Sequence, residues 1–178
     1  FEDCKMSTCR YFYSLLAVTC LFFLPVYGQS ERTESADGVF SVILPAEWEM
    51  LETDDPHTLV AMSPQSDQFD FFQENLLIAS FGVVEEETLT SYFEGNLVFL
   101  KRQIPTMGNI QQNEMMLDGQ EAIRLDYVAT VAGNRLVATQ IFVIREGRGF
   151  IFTLMALEQD QEVFAEQFEE LITSFRFE

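Results

Sequence analysis

Four strand-like segments joined by short turns occupy residues 111–157 and constrain the fold more than any other feature of the chain. The segments are Gln111–Leu117, Gln120–Val131, Arg135–Arg145 and Gly149–Leu157. The turns between them are Asp118-Gly119, Gly133-Asn134 and Glu146-Gly147. Glycine-containing turns of two residues are typical of β-hairpins, in which neighbouring strands run antiparallel. This part of the chain therefore predicts an antiparallel sheet.

The second of these segments, Gln120–Val131, alternates between apolar and polar side chains. Its apolar positions are Ile123, Leu125, Tyr127, Ala129 and Val131, and the positions between them include Arg124, Asp126 and Thr130. Successive side chains of a strand point to opposite faces of the sheet. One face of this strand is therefore expected to lie against a core, and the other is expected to be more polar.

Further strands are expected in the N-terminal half of the chain. They are Val39–Leu44, His57–Met62 and Asn75–Val84, the last of which is apolar enough for burial on both faces. The segment Trp48–Leu51 is expected to extend the first of these strands or to pair with it. Trp48, the single tryptophan, is expected in the core.

Two segments have the spacing of amphipathic helices. The apolar stripe of the first consists of Leu89, Tyr92, Phe93, Leu97, Leu100 and Ile104. The stripe of the second consists of Phe164, Phe168, Leu171, Ile172 and Phe175. Thr88 and Asp160 are suitable N-caps, Pro105 ends the first helix, and the tail Phe175–Phe177 is expected to lie on the sheet. These elements predict an α+β protein whose largely antiparallel sheet, of about six or seven strands, is covered by helices.

Residues 1–28 have the features of a signal peptide. Arg10 precedes an apolar run over residues 11–27, and Gly28 is a suitable cleavage position before a polar segment. Two alternatives remain open, namely lipid modification at Cys20 and retention of residues 11–27 as a membrane anchor. With cleavage, residues 29–37 are expected to be a linker and residues 38–178 the folded domain. The protein is then expected to be exported, periplasmic or extracellular, without a stable membrane span.

The charge balance excludes several kinds of partner. The chain has 10 Lys and Arg residues against 29 Asp and Glu residues, a net charge of −19. Such a surface repels nucleic-acid phosphates and disfavours anionic membranes. It is compatible with a basic partner or divalent cations, and also with a purely solubilising role.

The residue types needed for familiar catalytic sites are scarce. All three cysteines, Cys4, Cys9 and Cys20, lie in the leader, which excludes a disulfide framework, a thiol nucleophile and a thiolate zinc site in the domain. His57 is the single histidine, and no nucleophile motif accompanies it, so we expect a surface or structural residue. No catalytic residue, metal site or cofactor is therefore predicted.

Three phenylalanines interrupt a polar loop over residues 63–74. If they are exposed, Phe69, Phe71 and Phe72 form an apolar patch suited to docking a partner. The alternative is that they fold onto the core. They are the only binding residues that the sequence suggests.

Several short motifs, taken in order, resemble those of PsbP-like domains. They are Phe40–Trp48 with its Pro-x-x-Trp corner, Asn75–Ile78, Leu89–Leu100, Asp118–Ala122 and Phe168–Phe177. The resemblance covers about residues 38–178. It implies an α/β/α sandwich around an antiparallel sheet. The PsbP-like family includes the lumenal photosystem II subunit PsbP and exported bacterial domains of the DcrB type.

The resemblance implies a function without identifying functional residues. PsbP-like proteins bind and stabilise other proteins, and none is an established enzyme. We therefore expect an exported, non-catalytic accessory domain that binds a protein partner in the cell envelope. The alternatives are a carrier of small apolar ligands and a carboxylate-based hydrolase. The identity of the partner and the oligomeric state stay open.

Overall fold

The computed structural model describes residues 32–65, residue 68 and residues 72–178. The expected signal peptide lies outside these residues. The strands are β1 (Arg32–Glu34), β2 (Phe40–Ile43), β3 (Glu49–Leu51), β4 (Thr58–Met62), β5 (Asn75–Gly82), β6 (Gly108–Leu117), β7 (Gln120–Val131), β8 (Asn134–Arg145), β9 (Arg148–Leu157) and β10 (Arg176–Phe177). The helices are α1 (Leu89–Gln103) and α2 (Gln161–Ser174). None of the helices in these residues is long and apolar enough to cross a bilayer.

Seven of the strands form one antiparallel sheet in the order β3-β4-β5-β9-β8-β7-β6. This confirms the α+β class and the antiparallel sheet predicted from the hairpin turns. A second, three-stranded sheet has the order β1-β2-β10. The C-terminal tail therefore pairs with β2, Phe177 lying opposite Phe40, and belongs to the small sheet.

The three hairpin turns share one backbone conformation. In each turn both residues have positive φ, with values of 45° and 80° for Asp118 and Gly119. Two consecutive positive φ angles are the mark of a type I′ turn, which matches the twist of the strands it joins. The second turn is Ala132-Gly133, because Val131 pairs with Asn134. The prediction of Gly133-Asn134 was therefore wrong by one residue.

Two other predictions for the N-terminal half need correction. Arg32–Glu34, within the expected linker, pairs with β2 as a strand, so regular structure begins before Gly38. Glu49–Leu51 pairs with β4 instead of β2. Both pairings join segments whose partners cannot be read from local patterns.

One face of the large sheet is covered by α2 and the small sheet. The core on this face is rich in phenylalanine, with Phe40, Phe152 and Phe175 almost completely buried. The Phe152 and Phe175 rings meet edge to face with centroids 4.5 Å apart. Trp48 is also buried in this core and donates to Gln167 of α2 at 3.1 Å, as expected for a buried indole.

Helix α1 covers the opposite face, mainly over β7 and β8. Phe93 of α1 packs on Phe142 with ring centroids 5.3 Å apart. The alternation predicted for β7 is confirmed from Ile123 to Ala129, but Val131 at the end of the strand is exposed. The large sheet thus lies between α1 on one side and α2 with the small sheet on the other.

The ends of the helices differ in how they are capped. Thr88 accepts a hydrogen bond from the Ser91 amide and donates its own amide to the Ser91 hydroxyl, both at 3.1 Å. This reciprocal pair is a capping box, so the predicted N-cap of α1 is confirmed. Asp160 occupies the N-cap position of α2, but its side chain makes no capping hydrogen bond.

Candidate functional site

The phenylalanine loop lies only partly within the described residues. Phe69 and Phe71 fall outside them, and Phe72 is half-buried. The base of the loop is fixed, because the Ser63 hydroxyl donates to the buried Glu74 carboxylate at 3.0 Å. The docking role of Phe69, Phe71 and Phe72 therefore stays a prediction.

The buried Glu74 carboxyl is unusual for an acidic protein whose other carboxyls are mostly exposed. Burial raises the pKa of Glu74, and hydrogen bonds to the carboxylate, including that from Ser63, offset only part of this rise. A carboxyl in these surroundings fixes the two ends of the loop.

The single histidine belongs to a cluster that the sequence did not suggest. His57 Nδ1 lies 2.5 Å from Asp37 Oδ2, and a terminal nitrogen of Arg148 lies 3.3 Å from the same oxygen. The Ser35 hydroxyl donates to the other oxygen of Asp37 at 2.8 Å. The cluster joins the β1–β2 connection, the start of β4 and the start of β9.

The electrostatics of this cluster favour a charged Asp37. Burial raises the pKa of the Asp37 carboxyl, but hydrogen bonds, the strongest from His57, lower it below its ordinary value. A catalytic histidine would need a nucleophile on its second nitrogen. Among the residues that the structure describes, no hydroxyl hydrogen-bonds to His57 Nε2. About half of the His57 side chain is exposed, and its Nδ1 lies against Asp37.

A groove of about 450 Å³ lies between β6–β8 and α2. Its floor carries Arg124, whose Nε lies 3.0 Å from both oxygens of Asp126 and whose terminal nitrogen lies 2.6 Å from Glu169 of α2. The Thr139 hydroxyl donates to Asp126 at 2.6 Å. The guanidinium thus connects the sheet to the helix.

The polarity of this groove bears on two of the alternatives for function. Burial lowers the pKa of Arg124, but Glu169 and Asp126 together raise it above its ordinary value, so the side chain stays charged. Both carboxylates are therefore paired with one arginine, and the three groups together keep one negative charge. The groove resembles neither the apolar pocket expected of a lipid carrier nor a pair of carboxylates free for hydrolysis.

Strand β6 forms one of the two outer edges of the large sheet. Within residues 32–65, 68 and 72–178, strand β6 has β7 as its only neighbour in the sheet. It contains ten residues, of which all but Gly108, Met115 and Leu117 are exposed. The opposite edge, β3, has only three residues. Proteins usually protect long edges with lysine, proline, a bulge or a covering segment.

The backbone groups along β6 divide into two sets. Leu117 and Gln120 flank the two-residue turn and form a hydrogen-bonded pair, and such pairs alternate along an antiparallel ladder. The N–H and C=O groups of Gln112, Glu114 and Met116 therefore point away from β7. Six backbone groups are aligned along the open edge as a result.

The open edge was not predicted from the sequence, although the sequence contains one signal of it. Gln111–Glu114 is polar at consecutive positions, whereas β7, β8 and β9 are apolar on at least one face. Consecutive polar residues in a strand indicate that neither face is fully covered. The order of strands in a sheet is not a local property, so the signal did not identify β6 as the edge.

Solved structures of other proteins share this architecture. No protein-family model matches the chain, and no curated protein matches its sequence. The cyanobacterial PsbP (CyanoP) from Synechocystis sp. PCC 6803 is similar in structure, with a TM-score of 0.62 and 17% identity, over 83% of this chain and 92% of that chain.

Two further bacterial structures are similar. The protein of unknown function PA94 from Pseudomonas aeruginosa has a TM-score of 0.59 and 16% identity, over 81% of this chain and 94% of that one. LpqN, involved in cell envelope biogenesis of Mycobacterium tuberculosis, has a TM-score of 0.57 and 14% identity, over 82% and 88%. The chain is therefore an α+β sandwich with the PsbP-like fold, as the resemblance of its sequence motifs suggested. Identities this low establish the fold alone.

Proposed function

We propose that this chain is an exported, non-catalytic accessory domain that binds a protein partner in the cell envelope. The observation that carries the proposal is the open edge of β6, with its row of outward backbone groups. The leader-like residues 1–28 support export. The similarity in fold to LpqN, which is involved in cell envelope biogenesis, supports the compartment.

The spacing of the open groups favours a polypeptide over a small ligand. Residues two apart on a strand are roughly 6.6 Å apart, so the outward groups of Gln112, Glu114 and Met116 extend over about 13 Å. Another extended backbone repeats its donors and acceptors at the same interval. A compact metabolite has no such repeating row of donors and acceptors. The charged groups of the nearby groove already pair with one another, through Arg124 with Asp126 and Glu169.

Photocrosslinking from four surfaces tests the proposal in the exporting cell. A benzoylphenylalanine is introduced singly at Gln112 on β6, Phe99 on α1, Val163 on α2 and Met50 on β3, all of which are exposed. We expect one discrete protein adduct from at least one surface, with the other positions serving as matched controls. Absence of a discrete adduct from all four positions, in protein that is exported and folded, contradicts the proposal.

A further inference from the structure

We infer that the β6 edge binds an extended, basic segment of the partner polypeptide, which adds an eighth strand to the large sheet. This inference rests on the proposed function and names the site and the chemical class of partner. Strand addition to an open edge is an established mode of peptide recognition. Hydrogen bonds from the backbone provide affinity, and side chains at alternate positions provide specificity.

The regular part of β6 is suited to such an addition. The register between β6 and β7 shifts between Gly108 and Gln111, and from Gln111 to Leu117 the pairing is continuous. This segment contains neither proline nor lysine, the residues that commonly prevent edge pairing. Seven residues of regular edge are therefore available to an added strand.

The side chains along the edge indicate a basic segment. Gln112, Glu114 and Met116 share the α1 face of the sheet, and Glu121 of β7 lies opposite Met116. In the part of the chain that the structure describes, neither Glu114 nor Glu121 forms an ion pair. Opposite charges on neighbouring strands stabilise a sheet, and like charges destabilise it. A Lys or Arg beside Glu114 is therefore favoured.

The surroundings strengthen this preference for positive charge. Arg124, the single basic residue of the β6–β7 hairpin, already binds Asp126 and Glu169. Beside the edge lies a hollow of about 560 Å³ that Glu114, Met116 and Glu121 line together with the first residues of α1. A lysine or arginine whose aliphatic part contacts Met116 can reach both carboxylates there.

A second copy of this chain fits the edge less well than a basic segment. Pairing two β6 edges would bring the unpaired carboxylates of two molecules, each with a net charge of −19, to one interface. The whole-chain charge instead attracts a basic partner and accelerates its association.

The test uses the isotopically labelled full chain and a synthetic nine-residue peptide in which lysine alternates with threonine. Amide hydrogen exchange is followed by NMR with and without saturating peptide. We expect exchange at Gln112, Glu114 and Met116 to slow at least tenfold. Asn113 and Met115, already bonded to β7, should change little.

Variants separate the contributions of backbone and charge. Gln112→Pro removes one outward N–H without breaking a bond to β7, and proline is accepted on an edge whose N–H faces solvent. We expect this variant to weaken peptide binding at least tenfold, whereas Gln112→Ala binds as the wild type does. Glu114→Gln should weaken binding and reduce its salt dependence.

Several results overturn the inference. Equal protection by a peptide with glutamate in place of lysine contradicts a basic partner. Protection of the three amides without peptide, rising with protein concentration, shows that a second copy occupies the edge. Peptide binding that protects α1 or α2 instead, or crosslinking only from Phe99 or Val163, ends the inference but leaves the proposed function standing. Absence of adducts from all surfaces ends the proposed function itself.

Discussion

Close contact between Gly149 and Tyr92 shows how single residues fix the position of α1 on the sheet. A Cβ atom added to Gly149 would lie 2.5 Å from Cζ of the Tyr92 ring. Burial, and then the charge of Glu87, raise the pKa of the Tyr92 hydroxyl to about 12. The ring is therefore enclosed between the helix and the start of β9, where only glycine leaves room for it.

Replacing Gly149 with alanine should loosen this contact. We expect Gly149→Ala to lower the free energy of unfolding by about 1–3 kcal/mol, because the ring and the helix must shift. Urea denaturation measures the loss. In a double-mutant cycle with Tyr92→Ala, the cost of the glycine change should largely disappear. Purely additive costs would show that the contact between Gly149 and Tyr92 does not constrain the helix.

The Asp37 carboxylate should make stability depend on pH. Its pKa in the folded state lies below the ordinary value of 3.8, so its contribution is present above about pH 4 and is lost as the pH falls through the lowered pKa. We expect Asp37→Asn to lower the free energy of unfolding by about 1–3 kcal/mol at pH 7. The difference from the wild type should shrink toward pH 3. If the difference in the free energy of unfolding between Asp37→Asn and the wild type is independent of pH, this account of the cluster is contradicted. His57→Ala is the control for the loss of one hydrogen-bond partner of Asp37.

At the scale of elements, the sequence predicted what local patterns encode. The two-residue hairpin turns, the alternation of β7, and the N-cap and apolar stripe of α1 all depend on residues close in sequence. The one-residue error at Ala132-Gly133 arose because a glycine next to an asparagine suits two adjacent turn positions.

Pairings between distant segments were not predictable in the same way. β1 and β10 flank β2, although about 140 residues of chain separate them. The contact of Asp37 with Arg148 joins residues 111 positions apart. No local period identifies such partners, so the small sheet, the histidine cluster and the open β6 edge emerge only from the assembled structure.

The capping box of α1 allows a test at this scale. Thr88→Ala removes the side-chain acceptor for the Ser91 amide, and we expect it to lower the free energy of unfolding by about 1 kcal/mol. Thr88→Ser keeps the acceptor and should be close to neutral. The two variants are compared by thermal and urea unfolding, and equal losses from both would show that the cap does not stabilise the helix.

At the scale of the whole molecule, an apolar core lies on each face of the large sheet, and no other strand of the described residues pairs with its β6 edge. These cores lie beneath α1 and α2, and the ion pairs of Arg124 line the groove beside α2. The net charge of −19 gives the protein a negative electrostatic potential that attracts basic partners. The proposed binding of a partner strand requires such an open, acidic edge.

Amide exchange along β6 in the free, dilute protein tests this most directly. We predict alternation, with slow exchange at Gln111, Asn113, Met115 and Leu117, whose amides bond to β7, and fast exchange at Gln112, Glu114 and Met116. Uniformly slow exchange along the strand, independent of protein concentration, would show that the edge is already covered, and would contradict the proposal that it receives a partner.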